Sequence, residues 1–154
     1  MHASVKKVSD TEIEGYATYY NAFTGYTLEQ RYTLYFVLQF SKPFDSMGGW
    51  VNEGVQPVTG YIPGWNRTHR FDTPAEIRQD IDSISGRGDL GVFLNYRTEE
   101  GEAILVRSGV SLVDMAGARN NLQQELAKPF DWNFEQVVAH AREVWNDYLG
   151  RVEI

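Results

Sequence analysis

The chain has 154 residues, 42 % hydrophobic and 14 % aromatic, which suits one globular domain with a packed core and leaves little room for a second. A formal charge of −7 argues against a nucleic-acid or anionic-membrane partner, because such surfaces attract an excess of Lys and Arg. With no cysteine there is no disulfide and no thiolate metal site, and no apolar run approaches the ~20 residues of a membrane-spanning helix.

The first two thirds read as strands. The opening "MHASVKK" has no apolar stretch behind it and lacks the pattern of a signal peptide. "EIEGYATYYNAF", Glu12 to Phe23, is rich in Tyr and Thr, and "TLYFVLQF", Thr33 to Phe40, is an apolar-aromatic run; both suit a pleated sheet. Pro43 in "SKPF" cannot donate to a ladder and should end the second of these strands. Asp45–Phe71 differs in kind, with five glycines and two prolines among scattered apolar residues, and predicts a long loop or a loosely formed strand pair. "FDTPAEIRQDID" follows, with Pro74 suited to a helical first position or a turn and Asp80 and Asp82 on one strand face. "LGVFLNYR" and "AILVRSGVSLV" read as a hairpin joined by Thr98–Glu102, where Gly101 supplies positive φ.

From Asp114 the period turns helical. Asp114 caps a helix running to Leu126, with Ala118, Leu122 and Leu126 on one stripe, until "KPFDWN" breaks it. Asn133 starts a second helix, with Gln136 completing a capping box. There Phe134, Val137, Val138, Ala141, Val144, Trp145, Tyr148 and Leu149 recur at i, i+3, i+4 and i+7, so Trp145 is expected to be buried against the sheet. Gly150 marks the helix end, and "RVEI" alternates as the start of a strand would. Strands first and helices last predict a mainly β fold: a β-sandwich, mostly antiparallel, with two C-terminal α-helices, one domain over residues 1–154.

Residues that could carry chemistry are few. Asp80 and Asp82, and Glu99, Glu100 and Glu102, offer carboxylates, but acidic residues in turns are ordinary in so acidic a chain and catalysis needs a cleft that shifts their pKa. His2, His69 and His140 have no metal-ligand spacing; His140 reads as a helix-surface residue, and His69, between Arg67 and Arg70, is the one worth testing. "NRT", Asn66–Thr68, matches a glycosylation sequon of the kind frequent by chance. Trp50, Tyr61 and Trp65 fall in the glycine-rich region, and loop tryptophans on a sandwich suit the flat C–H faces of sugars. Trp50 and Trp65 are therefore the candidate substrate-binding residues, against the plainer reading that they tuck under their own loop.

The stretches "GVSLVDMAGARNNLQQEL" and "WNFEQVVAHAREVWNDYLGRVEI" resemble glycoside hydrolase family 92, the exo-acting α-mannosidases, in Gly109–Ser111, Ala118–Glu125, Trp132–Phe134 and Trp145–Val152. "YFVLQFSKPF" and "GYATYYNAFTGYTLEQR" resemble the family's strands upstream. The resemblance spans nearly the whole chain and is weakest between Met47 and Asp89. It implies the N-terminal β-sandwich of a two-domain enzyme whose helical-barrel domain carries the catalytic carboxylates and a calcium ion and hydrolyses α-mannosidic bonds, mostly α-1,2, with inversion. The family's amino-terminal "D-P-F-I-G-T" stretch has no counterpart here, and "RVEI" falls where the linker to the barrel would begin.

These implications give the expected role: a non-catalytic domain, with no catalytic residue and no cofactor of its own, that supports and helps frame the glycan site of the absent catalytic domain. Its expected partners are that barrel domain and, through the parent, mannose-containing glycans; neither nucleic acid nor membrane is expected. A bacterial parent would be secreted or held at the cell envelope. Bare sheet edges and an apolar docking face would make the isolated chain self-associate. The rival is a stand-alone carbohydrate-binding module that grips a glycan through its loop tryptophans. An enzyme complete in 154 residues has no supporting constellation.

Overall fold

Alternation along the strands decides the architecture. The computed structural model describes residues 2–21, 30–52, 75–87 and 89–151. Among the described residues eight strands appear in chain order: β1 (His2–Ser9), β2 (Glu12–Asn21), β3 (Gln30–Phe40), β4 (Ser46–Asn52), β5 (Glu76–Arg78), β6 (Ser83–Arg87), β7 (Asp89–Asn95) and β8 (Val106–Ser111). All their pairings are antiparallel, and they form a five-stranded sheet, β6-β1-β2-β3-β8, and a three-stranded sheet, β5-β4-β7. In the larger sheet Ile13 pairs with Leu38 and Gly15 with Phe36, so these residues share one face while Glu12, Glu14 and Tyr16 take the other. The inner face meets Met47 and Val51 of β4, and Val5, Ile13, Phe40, Phe44, Met47, Val51 and Ile84 form a buried core between the sheets. At ~1.5–3 kcal/mol for each fully buried apolar side chain, this cluster supplies the main drive for closing the sandwich.

A third layer lies on the outer face of the larger sheet. Helix α1 (Met115–Leu122) is capped by Asp114, whose Oδ1 accepts from the Gly117 amide at 2.6 Å. Ala118 and Leu122 are buried with Val37 of β3 in a second core. Gly109 permits the approach, since a Cβ there would sit 2.5 Å from Leu122 Cβ. The helix does not stop at Leu126: a π-helical segment, Gln123–Ala127, leads into α2 (Lys128–Phe130), with Pro129 taken at its first turn. The break comes at Asp131, where φ is 49° and ψ −118° and the Asn133 amide donates to Phe130 O at 2.9 Å. Those are type II′ turn values, a geometry that favours glycine and strains aspartate by ~1–3 kcal/mol. Helix α3 (Phe134–Leu149) then starts at Asn133, whose side chain accepts from the Gln136 amide at 3.0 Å.

Four expectations give way. β7 and β8 are not a hairpin, because β7 pairs with β4 in one sheet and β8 with β3 in the other. The connection between them runs beside the β3–β4 connection, and both cross between sheets: Lys42 donates to Arg97 O at 2.6 Å, and the Ser41 amide to Leu105 O at 2.9 Å. Gly101 does have positive φ, 80°, but it serves a crossing loop. Asp80 and Asp82 share no strand face; they lie in the bend between β5 and β6, with Asp80 at φ 51°. Trp145 is not buried against the sheet but 65 % exposed, and no residue of α3 is buried. The turn at Asp131 points α3 away from the sheet, and its chief neighbour among the described elements is α2, where Phe130 meets His140 at 5.3 Å between ring centroids. Finally, Trp50 lies on β4, so the glycine-rich region opens with a paired strand. Tyr61, Trp65, Arg67, His69, Arg70, Pro74 and the Asn66–Thr68 sequon lie outside the described residues.

Candidate functional site

Trp50 is the predicted binding residue that the structure describes, and its setting follows from its strand. On β4, Met47, Gly49 and Val51 face the core, which turns Gly48 and Trp50 to the outer face of the smaller sheet. Across the ladder Gly48 pairs with Phe93 and Trp50 with Gly91. Each ring lies over the glycine opposite: a Cβ on Gly91 would fall 2.5 Å from Trp50 Nε1 and 2.7 Å from Cζ2, and one on Gly48 would meet the Phe93 ring. The result is one aromatic ring from each strand lying over bare backbone, both half-buried. Phe93 was not singled out by sequence reasoning; the cross-strand glycine–aromatic reciprocity that finds it needs the register.

Of the acidic candidates, Glu102 is already engaged. Lys42 Nζ holds both Glu102 oxygens, at 2.7 and 2.8 Å, and the Glu99 amide donates to Oε2 at 3.0 Å. The hydrogen bond from Lys42 lowers the Glu102 pKa, followed by that from the Glu99 amide, the wrong direction for a general acid. These residues line an open depression with Arg97, Thr98 and Glu100. A second carboxylate pair, which the sequence did not announce, sits on β2: Arg119 of α1 donates to Glu12 at 2.5 Å and Glu14 at 2.8 Å. Glu12 is 8 % exposed and also accepts from Gln39 at 2.6 Å. The hydrogen bond it donates to Glu12, with that to Glu14 behind it, raises the Arg119 pKa further, so the guanidinium between the carboxylates stays charged. A cation seated across both ties them to α1 rather than leaving them to flank a sugar bond.

Those motif residues therefore turn out to be fastenings. Gly109 admits the helix, Ala118 and Leu122 pin it, Arg119 ties it to β2, and the Trp132 ring stacks 4.1 Å beneath the Arg107 guanidinium. The sequence profile of the Glycosyl hydrolase family 92 N-terminal domain matches residues 1–111. The chain belongs to that family.

As a family 92 N-terminal domain it is matched by profile through the end of β8, and α1 to α3 lie beyond the matched residues. The solved structures extend the likeness to the helices. The GH92 inverting mannosidase BT2199 from Bacteroides thetaiotaomicron is 22 % identical, with a TM-score of 0.68 over 99 % of this chain and 17 % of its own. The GH92 alpha-mannosidase BT3965 of the same organism is 20 % identical, with a TM-score of 0.61 over 97 % of this chain and 17 % of its own. Its complex with mannoimidazole gives the same TM-score and identity. The chain thus spans about a sixth of the length of these mannosidases. No curated protein sequence matches it.

Proposed function

We propose that this family 92 domain is the non-catalytic β-sandwich part of a larger inverting, calcium-dependent exo-α-mannosidase of α-1,2 preference, supporting and helping to frame the glycan site of a separate catalytic domain. The observation that carries this reading is the family match together with the span: the chain corresponds to 17 % of the length of a solved GH92 inverting mannosidase. The carboxylates just described add to it, being held by Lys42 and Arg119 rather than aimed at a cleft. Calcium belongs to the catalytic domain in this proposal. Among the described residues no three His, Asp or Glu side chains converge as a cation site, so these residues do not fit the ion.

The purified chain should release no mannose from α-1,2-mannobiose above a buffer blank, with or without added calcium. Release by the chain alone would overturn the non-catalytic role. An adjoining reading frame for a helical-barrel domain, whose activity falls when this domain is deleted, would support the framing role; activity unchanged by the deletion would remove it.

The second reading, a carbohydrate-binding module, is favoured by one observation: the Trp50 ring lying over Gly91 beside Phe93. On that reading mannose oligosaccharides bind the isolated chain at millimolar affinity or better, ~4 kcal/mol, and Trp50→Ala or Trp65→Ala abolishes saturation. A flat titration returns the domain to its framing role. The bare stripe of α3, with Phe134, Trp145, Tyr148 and Leu149 all more than half exposed, also points to self-association of the isolated chain. Sedimentation should show mass rising with concentration, and a monomer at all concentrations would refute it.

A further inference from the structure

We propose that Arg107 of β8 is the residue that fixes the direction in which α3 leaves the sheet. This inference concerns the chain itself and stands whether or not the parent is a mannosidase. With no buried residue, and with α2 as its chief neighbour among the described elements, α3 has little packing to hold its orientation, so its course depends on the turn that precedes it. At that turn Asp131 has φ 49° and ψ −118°, and the ψ value sets the orientation of the peptide between Asp131 and Trp132. A rotation about ψ of Asp131 that is not offset at Trp132 would re-aim everything after it.

Arg107 ties that turn to β3. Its Nη1 donates to the Asp131 carbonyl oxygen at 3.0 Å, its planar face covers the Trp132 ring at 4.1 Å, and its Nε donates to Gln39 Oε1 at 2.9 Å. The Asp131 carboxylate adds a looser contact at 3.5 Å. The side chain is only 16 % exposed, and Gln39 lies directly opposite it in the ladder. Gln39 is itself fixed, because its amide donates to Glu12, which accepts from Arg119 of α1. Donors and acceptors thus alternate from α1 through β2 and β3 to β8 and end on the carbonyl that the turn must keep in place.

The absence of cysteine makes the test direct, since two introduced thiols, Ser85→Cys on β6 and Glu143→Cys on α3, take spin labels without background. Electron–electron distance measurement should give one narrow distribution for the parent pair. It should give a broad or multiple distribution after Arg107→Ala, with helix content by circular dichroism retained. Arg107→Met keeps the buried stem without the donors and serves where the alanine variant does not fold. An unchanged narrow distribution in a folded variant would overturn the proposal. So would loss of α3 helicity with the sheet intact, because Arg107 would then sustain the helix rather than aim it.

Discussion

Arg119 and Glu12 show how a single cation can matter without being catalytic. Removing Arg119 leaves the Glu12 carboxylate, 8 % exposed, with Gln39 as its one remaining hydrogen-bond partner among the described residues. Breaking a fully buried pair costs ~3–5 kcal/mol, but the Arg119 side chain is 38 % exposed and solvent screens part of that, so Arg119→Met should cost ~2 kcal/mol. Urea unfolding checks this, and adding Glu12→Gln should recover part of the loss. Tyr96 offers the opposite case. Its hydroxyl is buried with no partner among the described residues, and burial raises its pKa. Tyr96→Phe should therefore leave the melting temperature unchanged or raise it, the gain being at most ~1 kcal/mol. Glu102 gives a pH dependence with a definite sign. Its folded pKa lies below the ordinary 4.5, so its ion pair with Lys42 contributes at pH above 4.5 and is lost as pH falls below that value. Glu102→Gln should flatten the acid limb of stability against pH, and an unaltered slope would show that the pair contributes nothing.

At the scale of elements, the contrast between α1 and α3 carries the lesson. α1 is seated by contact: Gly109→Val would drive a side chain into Leu122 and lift the helix from the sheet. That variant should lose several kcal/mol, as overpacked cores do, and Trp145→Ala on α3 should stay within ~0.5 kcal/mol of the parent, because Trp145 is 65 % exposed. Both helices have equally legible caps, Asp114 and Asn133, since a cap is a local bond between neighbours in sequence. Period alone told that α3 has an apolar side; whether anything covers that side is a long-range fact that eight well-spaced residues do not contain. The same limit explains β7 and β8. A polar loop with Gly101 looks identical whether it folds a hairpin or crosses between sheets, and the partners that decide, β3 and β4, lie far upstream. Gly48 and Gly49 made Trp50 look like a loop residue, whereas Gly48 is small so that Phe93 can lie on it. β1 was missed because Lys6 and Lys7 mask the alternation around Val5.

For the molecule as a whole, the three layers imply a gradient of stability from the inter-sheet core outward. Amides of β2 and β3, central in the larger sheet, should exchange with solvent far more slowly than those of α3, which opens without exposing a core; mass-resolved hydrogen exchange would show it. Equal protection in the two would mean that α3 is covered in solution. The turn at Asp131 also makes α3 a lever. Its 16 residues reach ~24 Å at 1.5 Å of rise per residue, so a swing of ~10° at the turn carries Leu149 by ~4 Å. A peptide group moved by a fraction of an ångström beside Arg107 is thereby magnified many-fold at the far end. Tolerances there are those of an instrument's pivot, not of its arm.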